Sequence, residues 1–123
     1  MAKEAHNDVL DAALDKVATC TRQVACSAAP ANFAGIAAVA LADITLTAGD
    51  GAGDYVIADD TSGRKVTVGA QSAVTVDSTG DATHVTLDDG TTLLYTTTCT
   101  TQTLTASNTV NFPAWKINLE DPA

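Results

Sequence analysis

Between Ile44 and Thr109 the chain is written in short stretches that alternate apolar and polar residues. Val66-Thr67-Val68, Val74-Thr75-Val76 and Val85-Thr86-Leu87 each set large apolar side chains on one face of an extended strand, with threonine between them, and Leu93-Leu94-Tyr95 adds a further apolar strand. This parity predicts Val66, Val68, Val74, Val76, Val85 and Leu87 facing inward and Thr67, Thr75 and Thr86 facing outward. Turn signals at Gly49–Asp54, Asp59–Gly63, Gly69–Ser72, Asp77–Asp81 and Asp88–Gly90 recur roughly every ten residues, the spacing of an all-β domain. The prediction is a mainly β fold, a single antiparallel β-sandwich or barrel-like domain. Leu87-Asp88-Asp89-Gly90-Thr91 reads as a tight hairpin in which Gly90 takes the positive φ.

Ahead of the strands the periodicity changes. Val9, Leu10, Ala13, Leu14 and Val17 form one helical stripe, which predicts an N-terminal amphipathic helix from Lys3 or Asp8 to about Thr19, capped by Asn7 or Asp8. A helix this short is marginal alone, so its stripe docks either on the chain's own β-domain or on a neighbouring subunit. The division expected is a helix or arm over 1–22 and a β-domain over 23–123. Thr21–Ala28 reads as a strand with Val24 and Cys26 on one face, ended by Pro30. Over Ala31–Ala42 alanine favours helix and the flanking signals favour extended chain; the reading is a loop, then a strand from about Ala38 to Thr47. Tyr55–Ala58 is a further strand. Near the end, Phe112, Ile117 and Leu119 are core candidates, and Pro113 calls for an edge strand or a bend. Trp115, the one tryptophan, is either a core plug or an interface anchor.

Composition sharpens this picture. Hydrophobic residues make up 46% of the 123, but aromatics only 4%, so the core is built of small pieces. Small side chains bury little area each, at about 25 cal/mol per Å², which leaves a thin margin over conformational entropy and predicts partner surfaces in a homo-oligomer or larger assembly. The net charge of −9 repels phosphate backbones and anionic headgroups, so nucleic acid is not an expected partner. No apolar run approaches a membrane span, and no membrane partner is expected. The N-terminus lacks a hydrophobic signal region, which points to synthesis in the cytosol. Cys20, Cys26 and Cys99 are then best read as buried free thiols, ahead of one intrachain disulfide and well ahead of a metal site.

Candidate chemistry is sparse. His6 and His84 are the only histidines, and none of the serines lies in a nucleophile-elbow pattern. Asp50, Asp54, Asp59 and Asp60 gather around one glycine-bearing loop, where calcium is conceivable, yet the EF-hand order is missing and acidic turns are commonly turn formers. Gly49, Gly51 and Gly53 lack the Lys-Ser/Thr of a phosphate loop. The expectation is no enzyme, no cofactor and no metal.

Three segments carry a family resemblance: Asp60–Val68, Thr79–Tyr95 with its Leu87-Asp88-Asp89-Gly90-Thr91 turn, and Asn111-Phe112-Pro113-Ala114-Trp115-Lys116-Ile117. With the Asn7–Leu14 helix, they resemble small, head-associated, decoration-like structural proteins of tailed bacteriophages. The resemblance implies a non-enzymatic virion protein made in the host cytoplasm. Its implied role is capsid decoration or cement, binding the major capsid protein or another virion protein and stabilising the head shell. A neck, tail or head-fibre adaptor is the alternative. A sugar-binding platform is disfavoured by the few aromatics. The candidate partner contacts are His6, Leu10, Leu14, Val17 and Trp115.

Overall fold

The computed structural model describes residues 6–119. In chain order the elements are α1 (Asn7–Val17), β1 (Arg22–Cys26), a 3-10 turn (Phe33–Gly35), the single-turn α2 (Ile36–Val39), β2 (Ala40–Thr45), β3 (Tyr55–Asp59), β4 (Arg64–Val68), β5 (Gln71–Thr75), β6 (Gly80–Asp88), β7 (Leu93–Leu104), β8 (Thr109–Phe112) and β9 (Trp115–Leu119). The fold is mainly β with one N-terminal helix, as the alternation predicts, and every ladder between these strands is antiparallel. The chain divides into two compact units, each assembled from separated segments. The boundary expected at 22/23 falls within β1.

One unit comprises residues 6–19, 47–70 and 113–119. Its sheet runs β3-β4-β9, and α1 packs on β4 and β3. Val66 and Val68 alternate with Thr67 and are fully buried, as is Tyr55 opposite Val68. Arg64 shares the face of Val66 and Val68 and reaches Asp11 of α1, with Nε to Oδ1 at 2.7 Å and Nη2 to Oδ2 at 3.2 Å. This fork is the geometry in which a guanidinium grips a carboxylate best. Leu10 and Leu14 are the buried residues of the helix. Val9, 64% exposed, and Ala13, also exposed, depart from the expected stripe. Val9 sits about 100° around the helix from Leu10 and Ala13 about 60° from it, both on the side away from Leu14 and Asp11, where the docked face ends. The cap is also corrected: His6, not Asn7 or Asp8, precedes the first turn, its Nδ1 accepting from the Asp8 N–H at 3.1 Å. The alternative start at Lys3 lies outside the described residues.

The other unit comprises Cys20–Leu46 and Gln71–Phe112. It holds a four-stranded sheet, β2-β1-β6-β7, and a two-stranded one, β5-β8. Ala25, Leu41, Ala42, Ala82 and Leu104 of the first form one core with Val74, Val110 and Phe112 of the second and with Val76. A second cluster joins Val24 and Cys26 of β1 to Ile36 of α2, with Phe33, Val39 and Leu93 packed beside it. Both faces of β1 are therefore buried. Thr75 is exposed between the buried Val74 and Val76, as parity predicts, but Thr86 is fully buried instead of outward. Thr86 lies directly opposite Val24, on the face that the second cluster covers. The cover is the alanine-rich segment expected to be a loop followed by strand from Ala38. It forms the 3-10 turn and α2, with Asn32 Oδ1 accepting from the Gly35 N–H at 2.9 Å, and the strand begins only at Ala40. Pro113 lies between β8 and β9, outside both ladders, where its missing N–H costs no strand bond.

Candidate functional site

The hairpin joining β6 to β7 is fixed by acids. Asp88, fully buried, accepts from Arg22 Nε at 2.9 Å and from the Gly90 N–H at 3.0 Å. Asp89 Oδ1 accepts from the N–H groups of Thr91, at 3.0 Å, and Thr92, at 2.8 Å, while Gly90 takes φ +93°. The Arg22 guanidinium lies 5.8 Å from the centre of the Phe33 ring, so one cation ties β1, the hairpin and the 3-10 turn together. Asp43 approaches Arg22 at 3.8 Å, but burial and the neighbouring Asp77 carboxylate raise its pKa above the ordinary aspartate range.

From this anchored turn β7 runs twelve residues along the edge of the four-stranded sheet. Its pairing with β6 is regular from Tyr95 to Thr98, opposite Leu87 to His84. Beyond Thr98 the register shifts, and three residues of β7 stand between the partners of His84 and Ala82, a bulge that turns the strand. No strand lies along the other edge of β7 among the described residues. The strand carries no charged side chain; indeed none occurs from Gly90 to Trp115, in a chain of net charge −9. The other edges differ. β2, β3 and β9 carry Asp43, Asp59 and Lys116, and β5 and β8 are short, at five and four residues. Charge, shortness and bulges are the usual devices that keep an open edge from recruiting another chain. β7 has only the bulges, one on each side of the regular stretch Tyr95–Thr98, which is itself left unprotected.

The predicted contact residues lie elsewhere, all in the first unit. Leu10 and Leu14 are buried on α1, Val17 is half-buried and His6 is the exposed cap. Trp115, half-buried, stands opposite Val68 in the β4–β9 ladder and shares its face of the sheet. The structure thus brings Leu10, Leu14 and Val17 together on one helix. The signal for β7 was present in the sequence as the uncharged run Gly90–Trp115, which periodicity arguments pass over because they weigh apolar positions.

The loop acids serve the backbone and two basic side chains. Asp50 Oδ1 accepts from the Ile57 N–H at 2.9 Å, Asp54 accepts from the Thr47 N–H, Asp59 pairs with Arg64 at 2.8 Å and Asp60 with Lys116 at 2.7 Å. Among the described residues no group of three or more His, Cys, Asp or Glu is arranged to hold a metal. Burial raises the pKa of Cys26 and of Cys99, which keeps both thiols protonated and poorly nucleophilic. A depression of about 430 Å³ beside the start of β7 is lined by Asn32, Phe33, Thr92 and Leu93 with three neighbours, none of them acidic or basic. No helix of the described residues is long and apolar enough to cross a membrane. No family model matches the chain, and no curated protein or solved structure matches it significantly.

Proposed function

We propose that this protein is a non-enzymatic structural component of a virion, most specifically a decoration or cement protein that binds the head shell and stabilises it. The observation that carries an assembly role is the open, uncharged edge of β7, twelve residues long. A strand edge offers backbone N–H and C=O groups to another chain, so the contact it makes is a protein contact. The resemblance of Asp60–Val68, Thr79–Tyr95 and Asn111–Ile117 to head-associated phage proteins supports the virion as its setting. In this reading the two sheets of the second unit face one another as a β-sandwich, supported by the core their side chains share. Three of the six basic residues, Arg22, Arg64 and Lys116, are engaged in ion pairs within the chain, which leaves little cationic grip for an acidic surface. Contacts with a shell are apolar and backbone-mediated, and many weak copies add through multivalency.

The test is quantitative. The protein should co-purify with intact particles at a copy number comparable with that of the main shell protein, and particles lacking it should break open at lower temperature. A few copies per particle would overturn decoration and indicate a neck, tail or head-fibre part.

A further inference from the structure

We infer that the β7 edge is where two copies of this chain join, strand to strand and antiparallel, about a two-fold axis through Thr97. This rests on reading that edge as an assembly surface and names what occupies it. Two identical strands that pair about a perpendicular two-fold axis are antiparallel by symmetry, and each residue n positions before the axis faces the one n positions after it. The regular part of β7 contains Thr96, Thr97 and Thr98, opposite Thr86, Val85 and His84 of β6. An axis through Thr97 sets Thr97 against its copy and Thr96 against Thr98 on both sides. Cross-strand threonine pairs stabilise a ladder through hydroxyl contacts and branched packing. Thr96 and Thr97 are half-exposed and Thr98 exposed, so these side chains are accessible at the edge.

Charge selects the occupant. Two copies of a chain with net charge −9 repel one another, and contact is cheapest where acids are absent. The middle of β7 is that place: Thr96, Thr97 and Thr98 pair with Thr86, Val85 and His84, none of them acidic, whereas Asp81 reaches β7 only at Thr103. The joined sheets would read β2-β1-β6-β7 continued by the same order reversed, which removes the open edge from both copies. Because repulsion elsewhere opposes the contact while the contact itself holds no charge, added salt strengthens it.

The test uses the purified full chain without any shell. Sedimentation should find a dimer whose population rises with concentration and with salt, and hydrogen exchange should slow at Thr96–Thr98 as the dimer forms. Thr97→Lys alone and Thr97→Glu alone put like charges face to face and should each sediment as monomers. Mixed in equal amounts they should associate, because lysine then faces glutamate. A chain that stays monomeric, a dimer that leaves β7 exchange unchanged, or a Thr97→Lys variant that dimerises like the parent would each overturn the inference. So would protection of β7 that arises only with shell protein present, which would assign the edge to a shell strand. A monomeric chain found at shell-like copy number on particles separates the failure of this inference from that of the decoration reading.

Discussion

Arg22 Nε donates to Asp88 Oδ2 at 2.9 Å, and Asp88 is the one fully buried carboxylate among the described residues. The pair joins the first strand of the second unit to the hairpin that launches β7, because Asp88 also accepts from the Gly90 N–H. Breaking a buried pair by removing one partner costs about 3–5 kcal/mol. Arg22 keeps 32% of its side-chain exposure, so part of its charge is resolvated, and Asp88→Ala should lose about 2–3 kcal/mol in urea unfolding. Asp88→Asn, which retains an acceptor for Gly90, should lose less. An Asp88→Ala variant as stable as the parent would remove this pair from the framework of the hairpin.

The helix makes a sharper contrast. Leu14 is 1% exposed and Val9 is 64% exposed, although both belong to one apolar stripe in the sequence. Leu14→Ala should cost about 2–5 kcal/mol, the range for a buried leucine, and Val9→Ala should stay within about 0.5 kcal/mol. Leu14→Asp adds an unpaired buried charge and should abolish folding at ordinary temperatures. Equal effects at the two positions, read by thermal or urea unfolding, would mean that α1 does not dock as described.

Strand parity was legible wherever one face of a strand is covered and the other is not. Val66 and Val68 on β4 and Val74 on β5 with Val76 just after it fall where alternation puts them. It failed at Thr86, and the reason lies about fifty residues upstream, at Phe33 and Ile36. Alternation assumes a wet side, and the side of the sheet that holds Val24 and Thr86 is closed by Phe33 and Ile36. Those residues belong to the segment whose alanines and terminators gave conflicting local signals, so one unresolved stretch accounts for both departures. The division into two units was illegible for a different reason: it depends on Thr47–Ala70 pairing with residues after Pro113, a long-range choice that no local pattern encodes. The β7 edge stood in the sequence as a run without charges, but only the sheet order reveals that one side of that run is open.

Thr86 gives a test of that correction. Its hydroxyl is buried with no hydrogen-bond partner among the described residues, so Thr86→Val should be neutral or stabilising by up to about 1 kcal/mol. Thr86→Lys should cost several-fold more than the same change at the exposed Thr75, because its charge has no route to water. Similar tolerance at both positions in urea unfolding would restore the outward reading of Thr86.

Two aspartates give stability opposite dependences on pH. Lys116, with the Thr61 N–H, holds Asp60 below the ordinary aspartate pKa of about 3.9. A depressed carboxylate binds fewer protons folded than unfolded, so its contribution is present above about pH 3.9 and is lost as pH falls through the folded value. Asp43 is the reverse: burial first, then the hydrogen bond and charge of Asp77, raise its pKa despite Arg22. A raised carboxylate favours the folded state below about pH 3.9, and that contribution is lost as pH rises through the folded value. Asp60→Asn should therefore weaken the protein at pH 7 and approach the parent progressively as the pH falls below about 3.9. Asp43→Asn should gain stability at pH 7 and show no gain near pH 3. Urea unfolding of both variants across that window reads the two slopes directly, and an Asp43→Asn variant less stable than the parent at pH 7 would show that the Arg22 contact outweighs Asp77.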